Sequence, residues 1–360
     1  MQYGFSIKRK CYLLSVLLMT VWLTGCVQEE FESTPSPAGN GIRFTLTVPD
    51  VNLPSVSSRT MTGTGTAKKE DEIETVDILV FDMSKTPAVF LEWASATEVT
   101  QDLADNSTVS FSAVLSPTTA STCIVVVANK ELDDIVSGFT KGVTTKVRAM
   151  EEMLHTQTGK WLADGSTTGG YTRIPMYGEK VISKITPSMN PITDINMKRM
   201  LARIDIRNNS VTSNFTVEEV YLANYNTTGY IAPAWNTNGQ VTEPAPDTPV
   251  LPTGSGKMTE EGNAILYSVN GNTPYDGEIY TFESLAAGDA GGAGQDGEAS
   301  RKDATCLIVK GKIGTGESTF YRVDFTKNGN TGEQVEYLPL KRNHKYIITI
   351  TKALGTGYKS

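Results

Sequence analysis

The residues that could carry out nucleophilic catalysis are few and lie far apart in the chain. The 360 residues include only two histidines, His155 and His344, and four cysteines. Cys123 and Cys306 each have apolar neighbours in short runs typical of buried strands, where an inert thiol is expected. With so few bases available, a Ser–His or Cys–His pair has almost no candidates. The sequence therefore predicts no enzyme active site.

The sequence also contains no recognisable phosphate-binding or metal-binding motif. The Gly-Thr turns at 63–66 and 314–316 are not followed by the Lys-Ser/Thr and helix of a phosphate-binding loop. The segment 286–299 is rich in Gly and Ala and carries three carboxylates without the ligand spacing of a calcium loop, namely Asp289, Asp296 and Glu298. We interpret this segment as a surface loop and predict no metal site and no cofactor.

Covalent lipid attachment is the one modification that the sequence specifies clearly. Lys8-Arg9-Lys10 precedes an apolar run of 13 residues, Cys11–Leu23, which is too short to span a bilayer but fits a signal peptide. Leu23-Thr24-Gly25-Cys26 follows and resembles a bacterial lipobox, in which the cysteine is acylated and becomes the first residue. Several acyl chains would form a stable membrane anchor. The alternative is an ordinary signal peptide with a chance cysteine.

The residues after Cys26 indicate a tether. We predict a lipoprotein signal peptide over 1–25 and a Pro- and Ser-rich tether over 26–40. Gln28-Glu29-Glu30 resembles an acidic surface-export signal of Bacteroidetes lipoproteins, and a solvated charged tether is an equal alternative.

The charge balance disfavours binding to nucleic acid and to anionic membrane surfaces. Forty acidic against 32 basic residues give a net charge of −8, and loss of the basic leader makes the chain more acidic still. Such a chain is poorly suited to bind nucleic acid or an anionic membrane surface through its net charge.

A first strand begins directly after the tether. Ile42, Phe44, Leu46 and Val48 alternate with polar residues, as in a strand with one buried face. The following segment 49–72 is rich in Pro, Ser, Thr, Gly and charge and is expected to be a loop.

The rest of the chain predicts an all-β protein of two β-sandwich domains, 41–195 and 196–360. The run at Cys123–Val127 is apolar on both faces, as expected of a central strand. One helix is predicted between Lys146 and Thr156, with His155 on the surface near its end. Residues 182–193 show only weak periodicity, and one long strand is predicted over Met197–Asn208.

Six local patterns, in order along 42–351, resemble the fimbrillin family of Bacteroidetes, the FimA-like and Mfa1-like subunits of type V pili. They are the first strand with its Arg-containing loop and Glu72–Asp82, Cys123–Lys130 with the helix, Ile174-Pro175-Met176-Tyr177-Gly178, Lys198–Asp205, Tyr280-Thr281-Phe282-Glu283-Ser284, and Leu340–Thr349.

The resemblance implies two transthyretin-like β-sandwich domains, with one short helix in the first. It also implies assembly with other fimbrial subunits by donor-strand insertion, after an Arg-specific protease has removed the first strand. Arg59, followed by Thr60, lies in the predicted loop and is the expected cleavage site. The alternative is that Arg59 is an ordinary loop arginine.

The residues at the C-terminal end indicate which position the subunit would take in a pilus. After the terminal strand only Lys352–Ser360 remains, with no strand periodicity and few apolar side chains. We therefore predict a tip or accessory subunit that acts as an adhesin for a host or bacterial surface ligand. Two other classes stay open: a surface lipoprotein that binds glycan or host protein without polymerising, and, less favoured for want of catalytic residues, a hydrolase on a β scaffold.

Overall fold

Short strands that bury one or both faces make up most of the described chain. The computed structural model describes residues 41–48, 69–101, 108–162, 172–209, 214–255, 263–268, 275–288, 302–327, 336–353 and 355–359. Within these ranges the chain forms five β-sheets and two short α-helices, which confirms the predicted all-β fold class. None of the helices found there is long and apolar enough to cross a membrane.

Two sheets build the first sandwich. One contains Gly41–Thr47 (β1), Thr97–Gln101 (β4), Thr108–Val114 (β5) and Ile192–Asn196 (β9), in the order β4-β5-β1-β9. The other contains Val76–Asp82 (β2), Val89–Ser95 (β3), Thr122–Ala128 (β6), Met176–Ile182 (β8) and Lys198–Arg199 (β10), in the order β10-β8-β6-β2-β3. Their facing surfaces share one apolar core.

The central strands of the second sheet contribute side chains to two apolar cores, one on each face of the sheet. Ile78 of β2 and Ile124 of β6 face the first-sandwich core, whereas Leu79 and Val125 point to the opposite side. There they pack with a second apolar cluster that includes residues from the second half of the chain, such as Phe282. This double burial explains why the strand at Thr122–Ala128 lacks polar alternation.

The predicted helix is present but shorter than expected. Helix α1 spans Asp133–Val136, and helix α2 spans Lys146–Glu152 with Thr145 as its N-cap. The chain then turns into a short strand, Leu154–Thr156 (β7), which pairs antiparallel with Thr228–Tyr230 (β13). This strand takes the place of the last helical turn that we predicted.

The second sandwich repeats the plan of the first. Its smaller sheet contains Ala202–Asn208 (β11), Tyr275–Thr281 (β15) and Lys345–Ile350 (β18), in the order β15-β11-β18. The larger contains Phe215–Ala223 (β12), Ile265–Ser268 (β14), Cys306–Ile313 (β16) and Thr319–Asp324 (β17), in the order β14-β12-β16-β17. A third apolar core lies between them.

Two sequence-based interpretations need correction. The predicted strand Met197–Asn208 is interrupted: β10 belongs to the first sandwich, β11 to the second, and the buried pair Met200–Leu201 lies between them. The weakly periodic region around 182–193 leads into β9, which the sequence did not indicate. Residues from Gly41 onward form one compact unit, and the division into domains near residue 195 stays a prediction.

Candidate functional site

The first strand, β1, lies in the interior of its sheet. It pairs antiparallel with β5 over its whole length, from Gly41 opposite Val114 to Thr47 opposite Thr108. On its other side it pairs in parallel with β9. Because an interior strand satisfies backbone groups on two neighbours, its loss would leave unpaired N–H and C=O groups on both β5 and β9.

Four side chains of this segment fill the core between the two sheets. Ile42, Phe44, Leu46 and Val48 are 4%, 1%, 0% and 3% exposed, whereas Arg43 between them is exposed. The Phe44 ring stacks on Phe111 of β5, with ring centroids 4.9 Å apart and planes within 5° of parallel. The predicted alternation of the strand is therefore present in the structure.

We call the space that these four side chains occupy the first-strand groove. Its walls are buried apolar residues of β5, β9 and the facing sheet: Val109, Phe111, Ala113, Ile192, Ile195, Ile78, Val80, Ile124 and Val126. At about 1.5–3 kcal/mol for each side chain, filling the groove contributes roughly 6–12 kcal/mol before the cost of ordering the strand. Such a groove can bind a strand with apolar residues at alternate positions, and nothing in its lining suggests catalysis.

The β9 side of the groove depends on a glycine. A β-carbon added to Gly178 of β8 would lie 2.8 Å from Cγ2 of Ile195 and 2.7 Å from Sδ of Met197. Gly178 thus lets β9 approach β8 closely, and the Met197 N–H then donates to the Thr47 carbonyl of β1 at 2.8 Å. This contact gives a physical reason for the glycine in the pattern Ile174–Gly178.

Several residues singled out in the sequence lie outside the described residues. They are the lipidation candidate Cys26, the cleavage candidates Arg59 and Thr60, and the acidic residues Asp289, Asp296 and Glu298. The first strand ends at the edge of this region, since the chain is described up to Val48 and again from Lys69.

Two cysteine thiols and one histidine imidazole lie in surroundings whose burial disfavours their charged forms. Cys123 and Cys306 are buried and are not joined in a disulfide, and burial raises the pKa of the Cys123 thiol to about 12. His155 is not a surface residue at a helix end, as we predicted, but lies half-buried on β7. Its ring centroid is 5.1 Å from that of Trp161, and burial lowers its pKa.

A buried ionic cluster that the sequence analysis missed holds the 3₁₀ turn Lys69–Asp71 in place. Glu70 accepts hydrogen bonds from Nη1 of Arg203 and from the hydroxyl of Tyr280, both at 2.8 Å. Asp71 pairs with Arg199, whose side chain is 3% exposed. Burial and the neighbouring Glu70 carboxylate raise the pKa of Tyr280 well above its usual value. We call Glu70, Asp71, Arg199 and Arg203 the junction clamp.

The junction clamp also reaches the start of the last strand. Nη1 of Arg199 donates to Oδ1 of Asn343 at 2.9 Å, and the Arg203 N–H donates to the carbonyl of His344 at 2.9 Å. Three of the sequence patterns, Lys198–Asp205, Tyr280–Ser284 and Leu340–Thr349, therefore converge at one place. The two arginines of the first pattern, the tyrosine of the second and the asparagine of the third were the only signal for this contact.

The chain resembles a known protein family and several solved structures. A family model described as "Major fimbrial subunit protein (FimA)" matches residues 42–295 of this chain. No curated protein matches the chain. The range of the family match includes β1 from Ile42 onward, the walls of the first-strand groove and all four residues of the junction clamp.

Among solved structures, the tip fimbrial protein Mfa3 from Porphyromonas gingivalis with C-terminal truncation is 15% identical, covers 87% of this chain and 96% of that chain, and has a TM-score of 0.46. A fimbrial assembly protein from Parabacteroides distasonis is 11% identical, covers 86% of this chain and 90% of that chain, and has a TM-score of 0.40. The family model matches residues 42–295, which are well over half of this chain. The chain therefore belongs to the major fimbrial subunit (FimA) family.

Proposed function

We propose that the chain is the precursor of a fimbrial subunit that assembles by strand exchange. Removal of β1 opens the first-strand groove, and an extended strand from a neighbouring subunit refills it. The observation that carries the proposal is the interior position of β1 between β5 and β9, with four buried side chains. Membership of a family of fimbrial subunits, which form structures at the cell surface, supports it.

The energetics favour refilling an open groove. A vacated groove exposes apolar walls and unpaired backbone groups to water, both of which are costly. An added strand restores the backbone hydrogen bonds and the apolar packing together, which is the physical basis of strand addition. The partner strand must therefore carry apolar side chains at every second position.

Maturation is proposed to occur at Arg59. Cleavage between Arg59 and Thr60 by an Arg-specific protease frees β1 from the chain that follows it. The junction clamp lies about ten residues downstream of the cut and holds Glu70 and Asp71 by buried ion pairs. The new N-terminal segment therefore stays attached to the body of the subunit while the strand departs.

Before cleavage, the precursor is proposed to be an outer-membrane lipoprotein that is anchored through Cys26 and presented on the cell surface. Growth with labelled palmitate is expected to label the wild-type protein and not Cys26→Ser. Equal labelling of the two would reject Cys26 as the acylated residue.

We assign the subunit to the tip or to an accessory position, as an adhesin with two domains, 41–195 and 196–360. The last strand, β18, pairs in parallel with β11 over six residues, from Arg203 opposite Lys345 to Asn208 opposite Ile350. The tail beyond it pairs with the other sheet of the same sandwich, where Tyr358 and Phe320 of β17 exchange two backbone hydrogen bonds of 2.9 Å. A subunit whose last strand and tail are both paired within its own fold accepts a strand rather than donating one, which fits the distal end of a polymer that grows at its base.

The test uses purified precursor treated with trypsin. We expect a stable fragment that starts at Thr60, stays monomeric and binds a synthetic donor-strand peptide, whereas Arg59→Ala resists this cleavage. Self-assembly into long fibres would contradict the tip position and favour a stalk subunit. A protein that keeps β1 after treatment and binds no peptide would instead be a surface lipoprotein that does not polymerise.

A further inference from the structure

A second concave site shares no lining residue with the first-strand groove. It lies between residues 233–250 and the corner Lys341–His344, with a volume of about 320 Å³. This volume is within the range of small-ligand pockets. The rings of Pro233, Pro244, Pro246 and Pro249 provide apolar lining. We call this cavity the proline-wall pocket.

Two ammonium groups line the pocket with exchangeable counter-ions. The side chain of Lys341 is 20% exposed, while its partner Asp247, 3.1 Å away, is fully exposed. The side chain of Lys198 is partly buried and pairs with the more exposed carboxylate of Glu243, which also lines the pocket. Because ion pairs with solvent-exposed partners contribute little, a carboxylate on a ligand can replace either partner at small cost.

Asn343 and His344 add neutral polar groups to a lining that also includes the ion pair between Arg342 and Glu283. Nδ1 of His344 donates to the Arg342 carbonyl at 2.7 Å, and burial lowers the pKa of His344, so Nε2 of the neutral ring is left as an acceptor. Oδ1 of Asn343 accepts from Arg199, which leaves its amide nitrogen as a donor. Arg342 is committed to Glu283 and to two backbone carbonyls, so it supports the corner rather than a ligand.

We propose that the proline-wall pocket binds a carboxylate-bearing sugar, such as a uronic or sialic acid unit of a surface glycan. Lys198 and Lys341 hold the carboxylate, Asn343 and His344 bond to hydroxyl groups, and the proline rings pack against the C–H face of the sugar ring. The proposal adds a ligand to the adhesin role. It stands or falls independently of strand exchange, because it uses no residue of the first-strand groove.

A sugar fits the pocket better than an extended acidic peptide. A peptide strand is usually held by a row of backbone hydrogen bonds along a sheet edge, whereas the polar groups here are side chains that converge on one cavity. The acidic chain as a whole repels anions, so recognition of an acidic sugar must come from this local pair of lysines.

The experiment is direct titration of the full-length protein with N-acetylneuraminic acid, glucuronic acid, glucose and a tetraglutamate peptide, followed by NMR or calorimetry. We expect one or both acidic sugars to bind and glucose to bind at least tenfold more weakly. Lys341→Met is expected to weaken acidic-sugar binding by about tenfold or more, since a charged hydrogen bond is lost. Asp247→Asn removes the competing carboxylate and is expected to tighten binding about two- to fivefold.

Lys327→Met is the matched control, because Lys327 forms a similar exposed pair with Glu336 but does not line the pocket. Its affinity is expected to equal that of the wild type. A gain of affinity in Asp247→Asn cannot arise from misfolding, so this variant protects the test against a simple loss of structure. Failure of both acidic sugars to bind, equal binding of glucose, unchanged binding in Lys341→Met, or binding of the peptide alone would each overturn the proposal.

Discussion

At the scale of single residues, Phe44 is the side chain on which the first-strand groove depends most. It is 1% exposed and stacks on Phe111. We expect Phe44→Ala to lower the free energy of unfolding of the uncleaved precursor by about 3–5 kcal/mol, the usual cost of truncating a buried phenylalanine. Denaturant unfolding measures the effect.

The matched control is Thr45→Ala, on the opposite face of the same strand, where the change is expected to stay within about 0.5 kcal/mol. After cleavage and removal of β1, both variants should unfold like the processed wild-type protein, since neither residue is any longer present. A Phe44→Ala effect no larger than that of Thr45→Ala would mean that the strand does not occupy the groove as described.

The two histidines predict how stability varies with pH. Burial lowers the pKa of both His155 and His344 below the ordinary value of 6.5. As the pH falls below 6.5, the unfolded chain therefore binds protons before the folded one does, and stability is lost progressively until the lowered pKa values are passed. Because the chain has no other histidine, we expect urea midpoints to fall between pH 7 and pH 5.5.

The double variant His155→Gln, His344→Gln should show a flatter profile over the same interval. If it lost as much stability as the wild type between pH 7 and pH 5.5, other groups would govern this range and the description of the two half-buried imidazoles would be wrong.

At the scale of elements, two simple sequence patterns were sufficient to predict a strand. Alternation predicted the strand at Ile42–Val48, and a continuous apolar run predicted the strand at Thr122–Ala128, which is buried at every position. β9 was missed because a bulge breaks its period: Phe44 and Leu46 of β1 face Ile192 and Ile195, which are three residues apart, and Asp194 has a φ of 59°.

The break between β10 and β11 was hidden for a different reason. Met200 and Leu201 are both buried and extend the apolar pattern, although the chain changes sheet there. Likewise the junction clamp could not be derived from the sequence, since the buried state of Arg199 and Glu70 depends on partners more than a hundred residues away. Local patterns therefore predicted the strands but not the contacts between the two halves.

Two glycines of the C-terminal tail allow a test of whether the tail packs on β17. A β-carbon added to Gly357 would lie 2.4 Å from the carbonyl oxygen of Phe320, whereas one added to Gly355 meets nothing within 4 Å. We expect Gly357→Ala to release the tail, with faster hydrogen exchange at the Phe320 and Tyr358 amides, and Gly355→Ala to leave exchange near the wild-type rate. Equal exchange in the two variants would show that the tail is not packed on β17.

At the scale of the whole molecule, the two sandwiches have the same arrangement of strands, but only the first has an interior strand that a single cleavage can release. β1 and β11 each lie between an antiparallel and a parallel neighbour. β11 follows β10 after two residues and cannot be released by a single cut, whereas one cut after Arg59 frees everything that precedes it. Strand exchange is therefore proposed for the first sandwich alone.

The central claim is that β1 is removed before the subunit enters a fimbrium. The most direct measurement is the N-terminal sequence and intact mass of the subunit recovered from purified fimbriae. Our account predicts a chain that begins at Thr60 and lacks residues 41–48. Recovery of fimbrial subunits that still contain the intact first strand would contradict it.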